Sequence, residues 1–119
     1  MEPKDTVTVG LTEETHRMLQ QLKEDGVFSE MKDGYRLGIA LAISNGMVAP
    51  EGIKTGTVLN AGSLDPDNSL RDIVIELYPE AAGRPYAYAE RLAEAGVAEM
   101  GRLHRAGEVR FGELFDLAT

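Results

Sequence analysis

The sequence predicts a mainly helical fold with one β-strand per subunit, and two observations support this prediction. Residues 6–11 read Thr-Val-Thr-Val-Gly-Leu and alternate between small or polar and apolar residues, which is typical of a half-buried strand. After residue 12, apolar residues recur at helical spacing between turn-forming residues. No second strand of similar quality lies nearby, and a lone strand leaves its backbone hydrogen bonds unsatisfied. We therefore expect the strand to pair with its copy in a homodimer or a higher even oligomer.

Two helices are predicted directly after the strand. Thr12 is a suitable N-cap for the first, with two acidic residues in its first turn, and the helix should run to about Asp25. Gly26 then favours a left-handed stop. Ser29 is the predicted N-cap of the second helix, which should run to about Ser44.

The second predicted helix is apolar around almost its whole circumference. A helix of this kind is buried on all sides, and one small subunit can hardly cover it. The helix should therefore lie in the core of a dimer. The predicted dimer interface comprises Val7, Val9, Tyr35, Ile39, Ala42 and Ile43.

Residues 1–119 are expected to form a single domain, in which residues 6–46 are the strand-helix-helix dimerisation part. Residues 47–68 are rich in Gly and Pro and are predicted as a connector, in which residues 57–59 can form a short extended piece. Residues 69–119 are the predicted helical part. Its helices should begin at Ser69 and at Pro85, the second should end near Gly107, and a last short helix should carry apolar residues at positions 111, 114, 115 and 117.

Charge and composition narrow the functional classes. The chain contains 119 residues with a formal net charge of −8 and no cysteine, which excludes disulfides and thiolate metal sites. The acidic balance opposes strong, sequence-independent binding to nucleic acid. No apolar run is long enough to cross a membrane and no apolar signal region begins the sequence, so we expect a cytoplasmic protein without membrane contact.

Chemical motifs are scarce, and we expect neither enzymatic activity nor a metal or other cofactor. The two histidines, His16 and His104, lie far apart without metal-ligand spacing. Carboxylate pairs such as Glu90 and Glu94 are interpreted as solvated helix faces. A basic cluster comprises Arg102, His104, Arg105 and Arg110. It either contacts phosphate or an acidic partner, or simply places favourable charge at a helix C-terminus.

The order of strand, helix and helix over residues 6–46, with Val7–Leu11 followed by Thr12-Glu-Glu, resembles the ribbon-helix-helix family. The resemblance implies a dimer whose paired strands enter the DNA major groove. It places Thr6, Thr8 and Gly10 opposite the bases and Ser29 beside a phosphate. Family members commonly carry Lys or Arg on that strand face, where this sequence has Thr, Thr and Gly.

A weaker resemblance extends over more of the chain. It rests on Gly26-Val-Phe, Lys32-Asp-Gly-Tyr, Asn45-Gly46 and Tyr86-Ala-Tyr-Ala-Glu. These segments are similar to small accessory proteins of bacterial DNA phosphorothioation systems. The similarity implies a role linked to modified DNA or to the machinery that acts on it.

Two functional hypotheses follow. The first is a dimeric DNA-associated protein, either a ribbon-helix-helix-type transcription regulator or an accessory protein of a DNA-modification system, that binds duplex DNA. The alternative is a protein-protein interaction or assembly module of the same architecture that does not contact DNA, and the net charge favours it. In either case, residues 84–119 either complete the core or bind another protein.

Overall fold

A computed structural model describes residues 5–107, which fold into five helices and one two-stranded antiparallel sheet. The mainly helical class is therefore confirmed. The elements, in chain order, are β1 (Thr8–Leu11), α1 (Glu13–Glu24), α2 (Met31–Asn45), β2 (Gly56–Asn60), α3 (Ala61–Leu64), α4 (Ser69–Leu77) and α5 (Pro85–Ala106). A 3₁₀ turn, Pro79–Ala81, connects α4 to α5.

The partner of β1 is a strand of the same chain, so the prediction of one strand per subunit is wrong. β1 pairs antiparallel with β2, with Thr8 opposite Asn60 and Leu11 opposite Gly56, and the register is irregular between Val9 and Gly10. The predicted connector supplies this second strand and also α3. β2 has a weak sequence signal because it is short and carries Gly and Asn at its ends.

Local signals placed most helix ends correctly. The Thr12 hydroxyl accepts a hydrogen bond from the Thr15 N–H and caps α1, and Pro85 opens α5. Gly46 and Gly107 end α2 and α5 in the left-handed conformation, with φ of 65° and 69°. The predicted cap of α2 was wrong, because Glu30 occupies the N-cap position and makes no side-chain cap bond.

The core forms where α2 packs along α5, with α1 against both. The largely apolar α2 is packed within one chain, because α1, α3, α5 and β2 all contact it. Of the six residues predicted for a dimer interface, four are buried in this core: Val9, Tyr35, Ile39 and Ala42. Ile43 is half-buried. Val7 is 80% exposed and remains accessible to a partner.

One buried acidic residue organises the start of α4. Asp65 is only 3% exposed, and its two carboxylate oxygens accept hydrogen bonds from the backbone N–H groups of Leu70 and Arg71. The Tyr86 hydroxyl of α5 donates to the same carboxylate at 2.8 Å. Asp65 therefore satisfies the free N–H groups of one helix and ties that helix to another.

The predicted last helix, with Phe111, Leu114, Phe115 and Leu117, lies outside the described residues, as does Arg110. Within residues 5–107, no helix combines the length and the apolar character that crossing a membrane requires.

Candidate functional site

Acidic side chains attach the N-terminal segment to α5. The Asp5 carboxylate accepts hydrogen bonds from the N–H groups of Tyr86 and Ala87, at 2.9 and 3.1 Å, in the first turn of α5. One turn further along, Glu90 Oε2 accepts the Gly10 N–H at 2.8 Å. A carboxylate at a helix N-terminus is favoured by the free N–H groups and by the helix dipole. The two contacts hold β1 alongside α5.

Glu94 continues this arrangement into α1. Its Oε1 accepts the Thr12 N–H at 2.8 Å, and its Oε2 accepts the hydroxyls of Thr12 and Thr15 at 3.0 and 2.6 Å. The expectation that the Glu90 and Glu94 pair forms a solvated helix face is therefore wrong. Both side chains are half-buried, and four donors from β1 and the start of α1 compensate the charges that they carry.

The buried Tyr35 hydroxyl completes the contact with β1. It donates to the Gly10 carbonyl at 3.0 Å, while the N–H of the same residue is bonded to Glu90. Burial, followed by the negative charges of Glu90 and Glu94, raises the pKa of Tyr35 far above its ordinary value, so the hydroxyl keeps its proton. Both backbone groups of Gly10 are occupied by side chains of this chain. A strand from a second copy cannot bond to them.

A cleft of about 510 Å³ opens on the other side of Glu90, between α5 and the loop that precedes β2. We call it the α5 cleft. Its volume lies within the range of small-ligand and peptide sites. The charged and polar side chains that line it are Thr6, Glu51, Thr55, Glu80, Arg84, Tyr88, Glu90, Arg91 and Glu94.

The two arginines of the α5 cleft differ in their contacts. Arg91 is held in place: its Nε donates to the Ala49 carbonyl at 2.8 Å, its guanidinium lies 3.5 Å from Glu51, and it stacks 5.0 Å from the Tyr88 ring centre. With the residues that the structure describes, the exposed Arg84 side chain forms no hydrogen bond or ion pair. Arg91 thus shapes the wall, and Arg84 is available to a ligand.

Two carboxylates of the cleft retain binding capacity. Glu90 uses only Oε2 for Gly10, and within residues 5–107 its Oε1 has no hydrogen bond. Glu80 is exposed and has a single long contact, 3.5 Å, from the Tyr88 hydroxyl. Burial, and then the Glu80 charge, raises the pKa of Tyr88, which therefore remains a neutral donor. The buried Thr6 hydroxyl oxygen has no partner in this part of the chain.

The residues predicted to bind DNA do not share one exposed face. Thr6 and Thr8 are half-buried, and Ser29 is exposed between α1 and α2. Gly10 is buried beneath β2, where a Cβ atom would stand 2.0 Å from the Gly56 carbonyl oxygen. The expectation that Gly10 faces DNA bases therefore does not fit this position. Contact of the other three residues with DNA stays a prediction.

Sequence reasoning missed the α5 cleft. Its residues come from four separate segments and have no local spacing in common. The described members of the basic cluster, Arg102, His104 and Arg105, lie elsewhere, at the far end of α5, where His104 Nε2 is 3.0 Å from Asp25 Oδ2. This contact and the Gln21 amide lower the pKa of Asp25. Among the described residues, no group of three or more acidic, histidine or cysteine side chains is placed to hold a metal ion.

Comparison with known proteins identifies no relative of this chain. No protein-family model matches this chain, and no curated protein or solved structure matches it significantly. The resemblances to ribbon-helix-helix proteins and to phosphorothioation accessory proteins therefore stay predictions.

Proposed function

We propose that this chain is a binding module that holds a basic segment of a partner protein in the α5 cleft. The observation that carries the proposal is the state of the cleft's charged groups. The inner arginine, Arg91, is already paired with Glu51 and a backbone carbonyl. Glu80 and the second oxygen of Glu90 are available, and Arg84 is the one positive group in the cleft without a partner among the described residues.

A Lys or Arg side chain of the partner fits this arrangement. Its cationic head would lie between Glu80 and Glu90 Oε1. Arg84 at the exposed rim suits a neighbouring acidic group or backbone carbonyl of the same segment. A net charge of −8 on the whole chain also steers basic partners towards it.

The contacts of β1 favour this role over insertion of a strand ribbon into DNA. β1 already has a partner strand in its own chain. Glu90 and Tyr35 also occupy the N–H and carbonyl of Gly10, and Glu94 occupies the N–H of Thr12, directly after β1. These carboxylates would also raise the electrostatic cost of bringing phosphates near β1. The DNA-associated regulator remains the competing proposal, and it predicts a different ligand.

A binding titration separates the two proposals. Fluorescence anisotropy would follow a labelled lysine-rich peptide and a labelled duplex DNA as the full chain is added, at low salt, where contacts to phosphate are strongest. We expect the peptide to bind and the duplex to remain free. Binding of the duplex without binding of the peptide would overturn the proposal in favour of a DNA-associated protein.

Matched variants locate the peptide. Glu80→Gln and Glu90→Gln remove charge from the α5 cleft while keeping an oxygen acceptor, and each should weaken peptide binding several-fold. Glu76→Gln is the control, because Glu76 is exposed on α4 and does not line the cleft. If all three substitutions weaken peptide binding equally, the peptide is attracted only by the net charge of the chain and the cleft is not its binding site.

A further inference from the structure

A second depression lies between α1 and α5, at the opposite end of α5 from Glu90. It is a groove of about 360 Å³, which we call the α1–α5 groove. Met18, Leu22 and Gly101 form its apolar floor. Gly101 lets the helices approach closely, since a Cβ atom there would stand 3.0 Å from the Met18 sulfur.

The rim of the groove is basic, although the chain as a whole is acidic. Arg17 on α1 and Arg105 on α5 line it, against one acidic residue, Glu14. Within residues 5–107 the Arg17 side chain has no hydrogen bond or ion pair, and Arg105 contacts only a backbone carbonyl, that of Gly101. His104 is held at the rim by Asp25. An apolar floor between two available guanidinium groups fits an amphipathic, acidic segment.

The chain itself contains a segment of this chemistry immediately after α5. Residues 108–119 read Glu-Val-Arg-Phe-Gly-Glu-Leu-Phe-Asp-Leu-Ala-Thr, with three acidic residues and one basic residue. Phe111, Leu114 and Phe115 have the spacing of one helix face. The groove and the segment therefore match in both apolar character and charge.

Chain length permits the segment to reach the groove. Phe111 is six residues beyond Arg105, a stretch that spans at most about 20 Å when fully extended. Gly107 ends α5 with a φ of 69°, in the left-handed conformation that turns a chain away from the helix axis. We propose that the α1–α5 groove is the docking site of residues 111–117 of the same chain, with Glu113 and Asp116 facing the arginines of the rim.

Cross-linking of the full chain tests this proposal. The natural sequence has no cysteine, so two engineered cysteines are the only thiols present. Gln21→Cys places one on the rim of the groove, Gly112→Cys places the other in the segment, and a short bismaleimide joins them. We expect rapid cross-linking within one chain, seen as altered gel mobility at monomer mass. Cross-links between two chains would overturn the proposal and make a second copy the occupant.

Charge variants in the same double-cysteine background make the test specific. Arg17→Glu should slow cross-linking several-fold, and adding Glu113→Arg should restore it. Lys23→Glu is the control, because Lys23 is an exposed basic residue of α1 that does not line the groove. If Arg17→Glu behaves like Lys23→Glu, or if no cross-link forms, the segment does not dock here and the groove is open to a separate partner.

Discussion

Gly38 of α2 and Gly96 of α5 bring their two helix backbones into direct contact. A Cβ atom on Gly96 would stand 1.7 Å from the Gly38 carbonyl oxygen, and one on Gly38 would stand 2.6 Å from Val97 Cγ2. Gly38 therefore serves close helix approach, because no side chain fits between the two helices here.

Gly96→Ala should destabilise the fold strongly. The new methyl group meets backbone atoms, which can yield only if the helices separate, so we expect a loss of about 2–3 kcal/mol in the free energy of unfolding. Urea denaturation measures this loss. Gly62→Ala is the control, since a Cβ atom at that position meets nothing within 4 Å. A neutral Gly96→Ala would mean that α2 and α5 do not pack at this distance.

Glu94→Ala should loosen the junction of β1 and α1. The change removes the acceptor of the Thr12 N–H and of two threonine hydroxyls, and Thr15 is buried. Unpaired donors in a partly buried site should cost about 2 kcal/mol in the free energy of unfolding. Glu94→Gln should cost less, because it keeps one oxygen acceptor. Glu76→Ala on the exposed face of α4 should change stability little, and an equal loss there would contradict the assignment.

Tyr35→Phe isolates a single buried hydrogen bond. The Tyr35 ring fills the core, and phenylalanine retains that packing, but the Gly10 carbonyl loses its donor. We expect a loss of about 1–2 kcal/mol in unfolding free energy, with the helical circular dichroism spectrum unchanged. Stability equal to that of the natural protein would show that water replaces the hydroxyl.

Alkaline pH should weaken the fold partly through Tyr86. Burial and the hydrogen bond to Asp65 raise the pKa of Tyr86 from 10.0 to about 12. The unfolded chain releases this proton near its ordinary pKa of 10.0, whereas the folded chain keeps it until about pH 12. The contribution of Tyr86 is therefore complete below pH 10 and is lost as the pH rises towards 12.

Tyr86→Phe should remove this part of the pH dependence. The variant should be less stable than the natural protein at neutral pH, because Asp65 loses a donor, and the difference should shrink between pH 10 and 12. Urea midpoints measured across that range provide the comparison. Tyr35 is unchanged in both proteins, so its own titration does not affect the difference. A constant difference at every pH would show that Tyr86 titrates normally.

The predictions that succeeded rest on local chemistry. Thr12 as an N-cap, Pro85 at the start of a helix and Gly107 at a helix end each act through the backbone of the same turn. The strand pairing failed for the opposite reason. β2 follows β1 after two intervening helices, and its own pattern of Gly, Thr, Val, Leu and Asn is too weak to identify it as the partner.

The α5 cleft had no local signature either. Glu94 accepts a hydrogen bond from the N–H of Thr12, which lies 82 residues away in the sequence, and Glu90 accepts one from Gly10, which lies 80 residues away. In a sequence with 20 acidic residues, nothing marks these two carboxylates as the ones that face backbone donors. Burial converts them from ordinary surface charges into structural acceptors, and burial is a property of the packed chain.

The sequence by itself determined α1, α2, α4 and α5, most of their ends and the apolar character of α2, because capping and periodicity act within one or two turns. Tertiary structure decided which surfaces meet. It gave β1 a partner from its own chain, covered α2 with α5 through the contact of Gly38 and Gly96, and left Glu80, Glu90 and Arg84 around an open cleft. The physical reason is that burying apolar surface and satisfying backbone groups depend on distances between segments remote in sequence, which no local pattern encodes.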